Sequence, residues 1–204
     1  MTTRLLSWHG VDPLRVEAAR VRLSADRLEA HGTSTTAEYV LAYRLATGPG
    51  WVTRVLAVEV VGDGWRRDVT LDRGSEGRWS AAWTGDGVDD LALPGGEVLS
   101  GAVDCDLSLC PLTNSMPILR HRLVDAARDG DDTPVDLVMA WVSVPDLAVT
   151  ASAQRYAAGD QVHLPGGGAL VHFASEGFAT TIEVDGDGLA VTYPGLAYRL
   201  HVVG

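Results

Sequence analysis

Residues 51–74 read WVTRVLAVEVVGDGWRRDVTLDRG, and the alternation in these residues indicates the fold class. Trp51 to Val61 is rich in valine, and both of its alternating sets of residues are largely apolar, which predicts a β-strand covered on both faces. Arg54 is the one charged residue in the even-numbered set. A Gly-Asp-Gly turn at residues 62–64 follows, and Trp65 to Asp72 returns as a second strand. Asp-Gly pairs between alternating runs are a strong signal for a β-hairpin, so the stretch predicts antiparallel β-structure.

The same pattern of short apolar runs between turn residues extends in both directions along the chain. The further predicted strands are 39–45, 77–84, 135–144, 147–156, 169–175, 178–184, 189–193 and 197–203. Val16 to His31 fits both a helix face and a hairpin that turns at Ala25-Asp26. The hairpin is preferred because a glycine and a run of serine and threonine follow.

The long section from Val88 to Arg128 shows no strand pattern. Pro117 is placed to begin a helix, with Ile118 to Ala127 as its body and Gly130 as its stop. We therefore expect one mainly β domain over residues 1–204. Its highly curved antiparallel sheet would form a barrel or half-barrel, with a short helix after the central loop.

Charge and composition exclude several function classes. The 204 residues include 27 acidic residues and 16 arginines but no lysine, so the formal net charge is -11. Such a chain repels nucleic acid unless its arginines cluster, and they do not cluster in sequence. The same charge disfavours binding to anionic membrane surfaces. The absence of lysine excludes Schiff-base and Walker A chemistry. No signal peptide or transmembrane segment is evident, so we expect a cytoplasmic protein without a metal or another cofactor.

The segment from Gly101 to Arg120 has the richest set of polar residues. Asp104 and Asp106 would share one face of an extended chain, where paired carboxylates could serve acid–base chemistry or hold a cation. The alternative is structural: Asp106 makes turn hydrogen bonds and Arg120 pairs with a carboxylate. The structural interpretation is preferred. Cys110 is expected to be a packed small hydrophobic residue, because no cation lies near it in sequence to lower its pKa.

Aromatic residues are the other candidates for binding. The chain has six tryptophans, Trp79 among them, and only two phenylalanines. Tryptophan usually fills a core and needs a partner for its indole N–H. Inside a curved sheet, however, tryptophan and arginine could also line a cavity for an amphipathic ligand.

The Asp104-to-Arg120 segment resembles the signature of the putative glycolipid-binding proteins, a bacterial family. The matching residues are Asp104, Asp106, Leu107, Ser108, Pro111, Thr113, Asn114, Pro117, Ile118 and Arg120. Further matches include Gln154-Arg155-Tyr156, Val184 to Leu189, and Tyr193-Pro194-Gly195-Leu196 with Arg199. The chain departs from the pattern at Leu119, where the family has the first of two arginines, and at Cys110, where it has threonine.

The resemblance implies a β-rich fold similar to bacterial lipid and lipoprotein carriers. It predicts non-catalytic binding of a glycolipid or another lipid-like molecule in a barrel cavity, with no nucleic-acid partner. The expected ligand-binding residues are Arg54, Trp79, Asp104, Asp106, Thr113, Asn114, Arg120, Gln154, Tyr156, Tyr193 and Arg199.

Two alternatives come from other function classes. One is a small hydrolase or isomerase built on Asp104, Asp106, Thr113, Asn114 and Arg120. The other is an interaction module that pairs through an exposed sheet edge, for example as a homodimer.

Overall fold

The structure is a computed structural model, and it describes residues 1–160 and 164–200. Fourteen strands form one sheet. They are β1 (Thr2–Gly10), β2 (Arg15–Leu23), β3 (Leu28–Thr35), β4 (Tyr39–Thr47), β5 (Thr53–Gly62), β6 (Trp65–Arg73), β7 (Trp79–Gly85), β8 (Asp104–Leu107), β9 (Val135–Val142), β10 (Val149–Ala158), β11 (Ala169–Ser175), β12 (Phe178–Val184), β13 (Ala190–Tyr193) and β14 (Ala197–Arg199). Two short helices, α1 (Ser115–Arg120) and α2 (Leu123–Asp129), and two 3₁₀ turns, Pro49–Trp51 and Pro165–Gly167, complete the described elements.

The strand order makes two antiparallel meanders joined along one seam. β1 to β7 pair in sequence, β9 to β14 do the same, and β1 pairs with β14. β8 adds to the far end through parallel pairing with β9. The sheet curls without closing, so the prediction of a highly curved, mainly β fold is confirmed as a half-barrel.

Alternation of side chains builds the inner face of the sheet. In β2 every odd-numbered residue from Arg15 to Leu23 is buried, and in β3 the even-numbered residues are buried. The predicted hairpin over Val16 to His31 is therefore confirmed, and its turn includes Ala25 and Asp26. The last strand was predicted to run from 197 to 203, and the structure ends it at Arg199. The part of that prediction from residue 201 onward lies outside the described residues.

Residues 88–134, which we call the central segment, enter the interior of the half-barrel. Leu99, Leu107, Leu112 and Met116 join a core cluster built mainly from the first meander, which also takes in Ala140 and Val142 of β9. Ile118, Leu123 and Ala127 join a cluster of the second meander. The expectation that this section lacks a strand is wrong, because Asp104–Leu107 pairs with β9 as β8.

The predicted single helix over Ile118 to Ala127 is divided in two. Arg122 adopts φ 52°, a left-handed conformation that interrupts the helix between α1 and α2. The predicted stop is confirmed, because Gly130 has φ 74° at the end of α2, a conformation that glycine adopts without steric cost.

A β-bulge changes which face Arg54 occupies. Ala46 of β4 pairs with Val55, whereas the next residue, Thr47, pairs with Thr53, so Arg54 is the extra residue. As a result Thr53 and Leu56 are both buried while Arg54 is exposed on the outer face. The assignment of Arg54 to the same face as Leu56, Val58 and Val60 is therefore wrong.

Two tryptophans attach the edge strand β7 to the other side of the molecule. The indole N–H of Trp79 donates to the carbonyl of Ala102 at 3.0 Å, and that of Trp83 donates to the carbonyl of Leu147 at 2.8 Å. β7 is thus held against residues that flank β8 and β9 without pairing with either strand.

Candidate functional site

Asp104 is held by an ion pair that ties β8 to α1. The Arg120 guanidinium donates to both carboxylate oxygens, with Nη1 2.7 Å from Oδ1. The Asp104 side chain is fully buried and that of Arg120 is 17% exposed. Burial raises the pKa of Asp104, and the Arg120 hydrogen bonds and charge oppose that shift. The pair therefore positions the central segment, as the structural interpretation of these residues predicted.

Asp106, on the same strand, belongs to a separate hydrogen-bond chain. Thr113 donates its hydroxyl proton to Asp106 Oδ1 at 2.6 Å, and Gln154 Nε2 donates to Oδ2 at 2.7 Å. Asn114 Nδ2 donates to the Tyr156 hydroxyl at 2.8 Å, and that hydroxyl donates to Gln154 Oε1 at 2.9 Å. Asn114, Tyr156 and Gln154 thus form one donor chain that ends on the carboxylate, and Thr113 donates to the carboxylate separately.

The electrostatics of Asp106 differ from those of Asp104. Burial raises the pKa of Asp106, hydrogen bonds from Thr113 and Gln154 lower it, and the charge of Asp104 raises it further. Thr113 and Gln154 each use one lone pair on one carboxylate oxygen, so lone pairs remain on Asp106 that can accept hydrogen bonds from a polar ligand.

A cavity of about 200 Å³ opens beside this chain. Its polar wall consists of Asp106, Ser108, Asn114, Ser152, Gln154 and Ser175, and its aromatic wall of Trp141, Phe173, Phe178 and Tyr193. Phe173 meets Tyr156 and Tyr193 edge to face, with ring centroids 5.1 and 5.9 Å apart. The cavity combines hydrogen-bonding groups with ring faces, which suits a ligand that is polar at its edges and apolar on its faces.

The predicted site residues fall into three groups. Six lie in or directly behind the cavity wall: Asp106, Thr113, Asn114, Gln154, Tyr156 and Tyr193. Asp104 and Arg120 form the ion pair at the neighbouring position of β8. The remaining three are elsewhere: Arg54, Trp79 and Arg199.

Each of these three residues has a different environment. Arg54 is exposed on the outer face. Trp79 lines a separate hollow of about 340 Å³ between the β6–β7 turn and the central segment. Arg199 Nη1 donates to Asp185 Oδ2 at 2.6 Å, and its guanidinium lies 5.8 Å from the centre of the Trp8 ring.

A second buried polar cluster surrounds Glu17, and the residues predicted from the sequence as a binding site do not include it. The Tyr43 hydroxyl and the Cys110 thiol donate to Glu17 Oε1 at 3.3 and 3.1 Å. Arg15 donates to the carbonyls of Leu109 and Leu196 at 2.6 and 3.2 Å. Alternation in the predicted hairpin places Glu17 on the same inner face as Ala19. The sequence pattern alone could therefore have predicted that Glu17 is buried.

Cys105 and Cys110 are free and buried, and burial raises the pKa of both thiols. Across residues 1–160 and 164–200, no three His, Cys, Asp or Glu side chains come together in a way that could hold a metal ion. In that same part of the chain, neither helix has the length and apolar character needed to cross a membrane.

Comparisons with known proteins add the family. A search among curated proteins found no match. Among solved structures, the chain is similar to the crystal structure of a DUF1089 family protein from Pseudomonas aeruginosa, with a TM-score of 0.66 and 24% sequence identity over 90% of this chain and 92% of that one. That likeness supports the fold. A family model described as "Putative glycolipid-binding" matches residues 5–199, nearly the whole chain, and the chain therefore belongs to the putative glycolipid-binding family.

Proposed function

We propose that the protein binds a glycolipid-like amphipathic molecule without changing it chemically, and that the cavity beside Asp106 receives the sugar head group. One observation carries this proposal. A single cavity joins the Asp106 carboxylate and two side-chain amides, Asn114 and Gln154, to four aromatic rings.

The chemistry of the two walls fits a sugar. Sugar hydroxyl groups donate hydrogen bonds to carboxylates and accept them from amide N–H groups, and the apolar faces of sugar rings stack on aromatic side chains. Asp106 has lone pairs beyond those that Thr113 and Gln154 use. Phe178 is 40% exposed at this cavity, so its ring is accessible to a ligand.

The size of the cavity favours a head group over a whole lipid. Sites that enclose drug-sized molecules measure about 300–1,000 Å³, and this cavity is about 200 Å³. The central segment places buried side chains such as Leu112 and Met116 in the interior of the half-barrel. In this proposal the acyl chains of the ligand therefore stay outside the cavity.

The hydrogen bonds around the carboxylates support binding over catalysis. Asp104 is buried against Arg120, and Thr113 is buried behind Asp106. Neither reaches the cavity wall, so the paired carboxylates that a hydrolase or isomerase would need do not face a common space.

Titration with octyl glucoside below its micelle concentration tests the proposal. Trp141 lines the cavity, so its fluorescence reports occupancy. We expect saturable binding of octyl glucoside, and weaker binding of free glucose and of octanol. Phe178→Ala removes an accessible ring and should weaken binding about tenfold.

Tyr198→Ala is the matched control. Tyr198 is an aromatic residue of similar exposure, 42%, and it lies outside the cavity wall. The control should bind octyl glucoside as the parent does. Equal losses in both variants, or binding of octanol as tight as that of octyl glucoside, would contradict the assignment of the head group to this cavity. Release of glucose would contradict the non-catalytic role.

A further inference from the structure

Three basic side chains lie in one row on the outer face of the sheet. The strand registers place Arg20 of β2 opposite His31 of β3, and His31 opposite Arg44 of β4. All three are exposed. Directly opposed residues have Cβ atoms about 5 Å apart, so the Cβ atoms of Arg20 and Arg44 lie about 10 Å apart, with His31 between them.

No described acidic side chain pairs with Arg20 or Arg44. Among the outward-facing strand residues of β1 to β4, the one acidic residue is Glu29, and it already pairs with Arg22 at 3.3 Å. This face therefore carries a net positive charge in a chain whose formal net charge is -11. The charges of Arg20 and Arg44 therefore have no acidic partner among the described residues.

Apolar side chains stand beside the row. Leu5, which pairs with Arg20, is 82% exposed, and Val16 and Val40 are 56% and 48% exposed. A groove of about 570 Å³ lies beside Leu5, Arg20 and His31 and crosses the strands over the small residues Ala18 and Ala42. Cations next to exposed aliphatic groups are the composition that binds the interface of a lipid bilayer.

We propose that the outer face of β1 to β4 docks on the surface of an anionic lipid membrane, with Arg20, His31 and Arg44 toward the lipid phosphates and Leu5, Val16 and Val40 in the interface. The acidic remainder of the protein does not prevent this. At physiological salt, charges more than about 8 Å apart are largely screened from each other. The charge of this face therefore determines how strongly the membrane attracts it, and the distant acidic residues have little effect.

A bilayer fits this face better than a protein strand does. β2 to β4 each have a strand on both sides, so their backbone N–H and C=O groups are already paired, and β1 has its second neighbour, β14, along Trp8 to Gly10. A partner must therefore be recognised through side chains on a broad face. An arginine near an anionic bilayer surface strengthens binding about fivefold.

Vesicle co-sedimentation tests the proposal with two lipid compositions, phosphatidylcholine alone and an equal mixture with phosphatidylglycerol. We expect the intact chain to sediment with the mixed vesicles, to lose that binding at high salt, and to remain unbound with phosphatidylcholine. The double variant R20S/R44S should bind the mixed vesicles about 25-fold more weakly. Leu5→Ser should produce a smaller loss.

The matched control is R78S/R155S, which changes the net charge equally at two exposed arginines elsewhere. It should bind as the parent does, and circular dichroism checks that each variant is folded. Equal losses in both double variants, equal binding to both vesicle types, or no vesicle binding would overturn the proposal. The absence of vesicle binding is the result expected if this face binds an acidic protein instead. Phe178→Ala should leave vesicle binding unchanged, so this proposal and the head-group proposal fail separately.

Discussion

The protonation of Glu17 makes the free energy of unfolding depend on pH. Its Oε1 accepts hydrogen bonds from Tyr43 and Cys110. Burial raises the pKa of Glu17 from 4.5 to about 7, against the opposing effects of those hydrogen bonds and of the Arg15 charge. The folded chain therefore holds this proton more tightly than the unfolded chain does.

The sign of the pH dependence follows from that difference. Since protonation favours the folded state, the contribution of Glu17 is fully present below about pH 4.5 and is lost as the pH rises through about 7. The loss amounts to about 3 kcal/mol in the free energy of unfolding. Glu17→Gln keeps an acceptor for Tyr43 but does not titrate, so the variant should lack this loss.

Urea unfolding over this pH range measures the effect. Glu29→Gln is the control, because Glu29 is an exposed carboxylate on the adjacent strand. It should retain the pH dependence of the parent. If Glu17→Gln keeps the same slope as the parent, Glu17 does not titrate in the way described.

At the scale of elements, alternation made the strands predictable. The odd-numbered residues of β2 and the Asp-Gly turn between β5 and β6 are local signals, and the structure confirms both hairpins. The bulge at Arg54 and the left-handed Arg122 have no comparable signal. Each depends on how a strand or helix fits distant parts of the chain. Likewise, Asp104 and Asp106 were recognisable in sequence, but the contact between Glu17 and Cys110 joins residues 93 positions apart.

The attachment of β7 gives a prediction at this scale. Trp83→Phe removes the indole N–H that donates to the Leu147 carbonyl while keeping an aromatic ring. We expect a loss of about 1 kcal/mol in the free energy of unfolding. Hydrogen exchange should also become faster in β7, because an edge strand has a partner on one side alone.

Trp65→Phe is the comparison for this experiment. Trp65 lies on the neighbouring strand, and its indole N–H donates to no described residue. Its substitution should leave exchange in β7 unchanged. Faster exchange in β7 in both variants would mean that aromatic packing, and not the hydrogen bond to Leu147, holds the edge.

At the scale of the whole molecule, the central segment joins the two meanders. Met116 packs in a core cluster that includes residues of both meanders, Ile118 packs in a cluster of the second meander, and Leu196 packs against both clusters. Neither meander can lose its packing without exposing apolar surface of the segment. We therefore expect one cooperative unfolding transition.

Calorimetry and two optical probes check this expectation. The calorimetric and van't Hoff enthalpies should agree. Five of the six tryptophans lie between residues 8 and 83, so fluorescence reports mainly on the first meander, while far-ultraviolet circular dichroism reports on the whole sheet. Their transitions should coincide. Two separate transitions would show that the meanders unfold independently.

The pairing of β1 with β14 has a consequence for synthesis on the ribosome. β2 to β7 can pair in the order in which they emerge, but three residues of β1, Trp8 to Gly10, have their second neighbour in β14, the last described strand. Until that strand has been made, β1 presents unpaired backbone groups to other chains. The nascent protein is therefore most open to aggregation in the interval between completion of the first meander and arrival of β14.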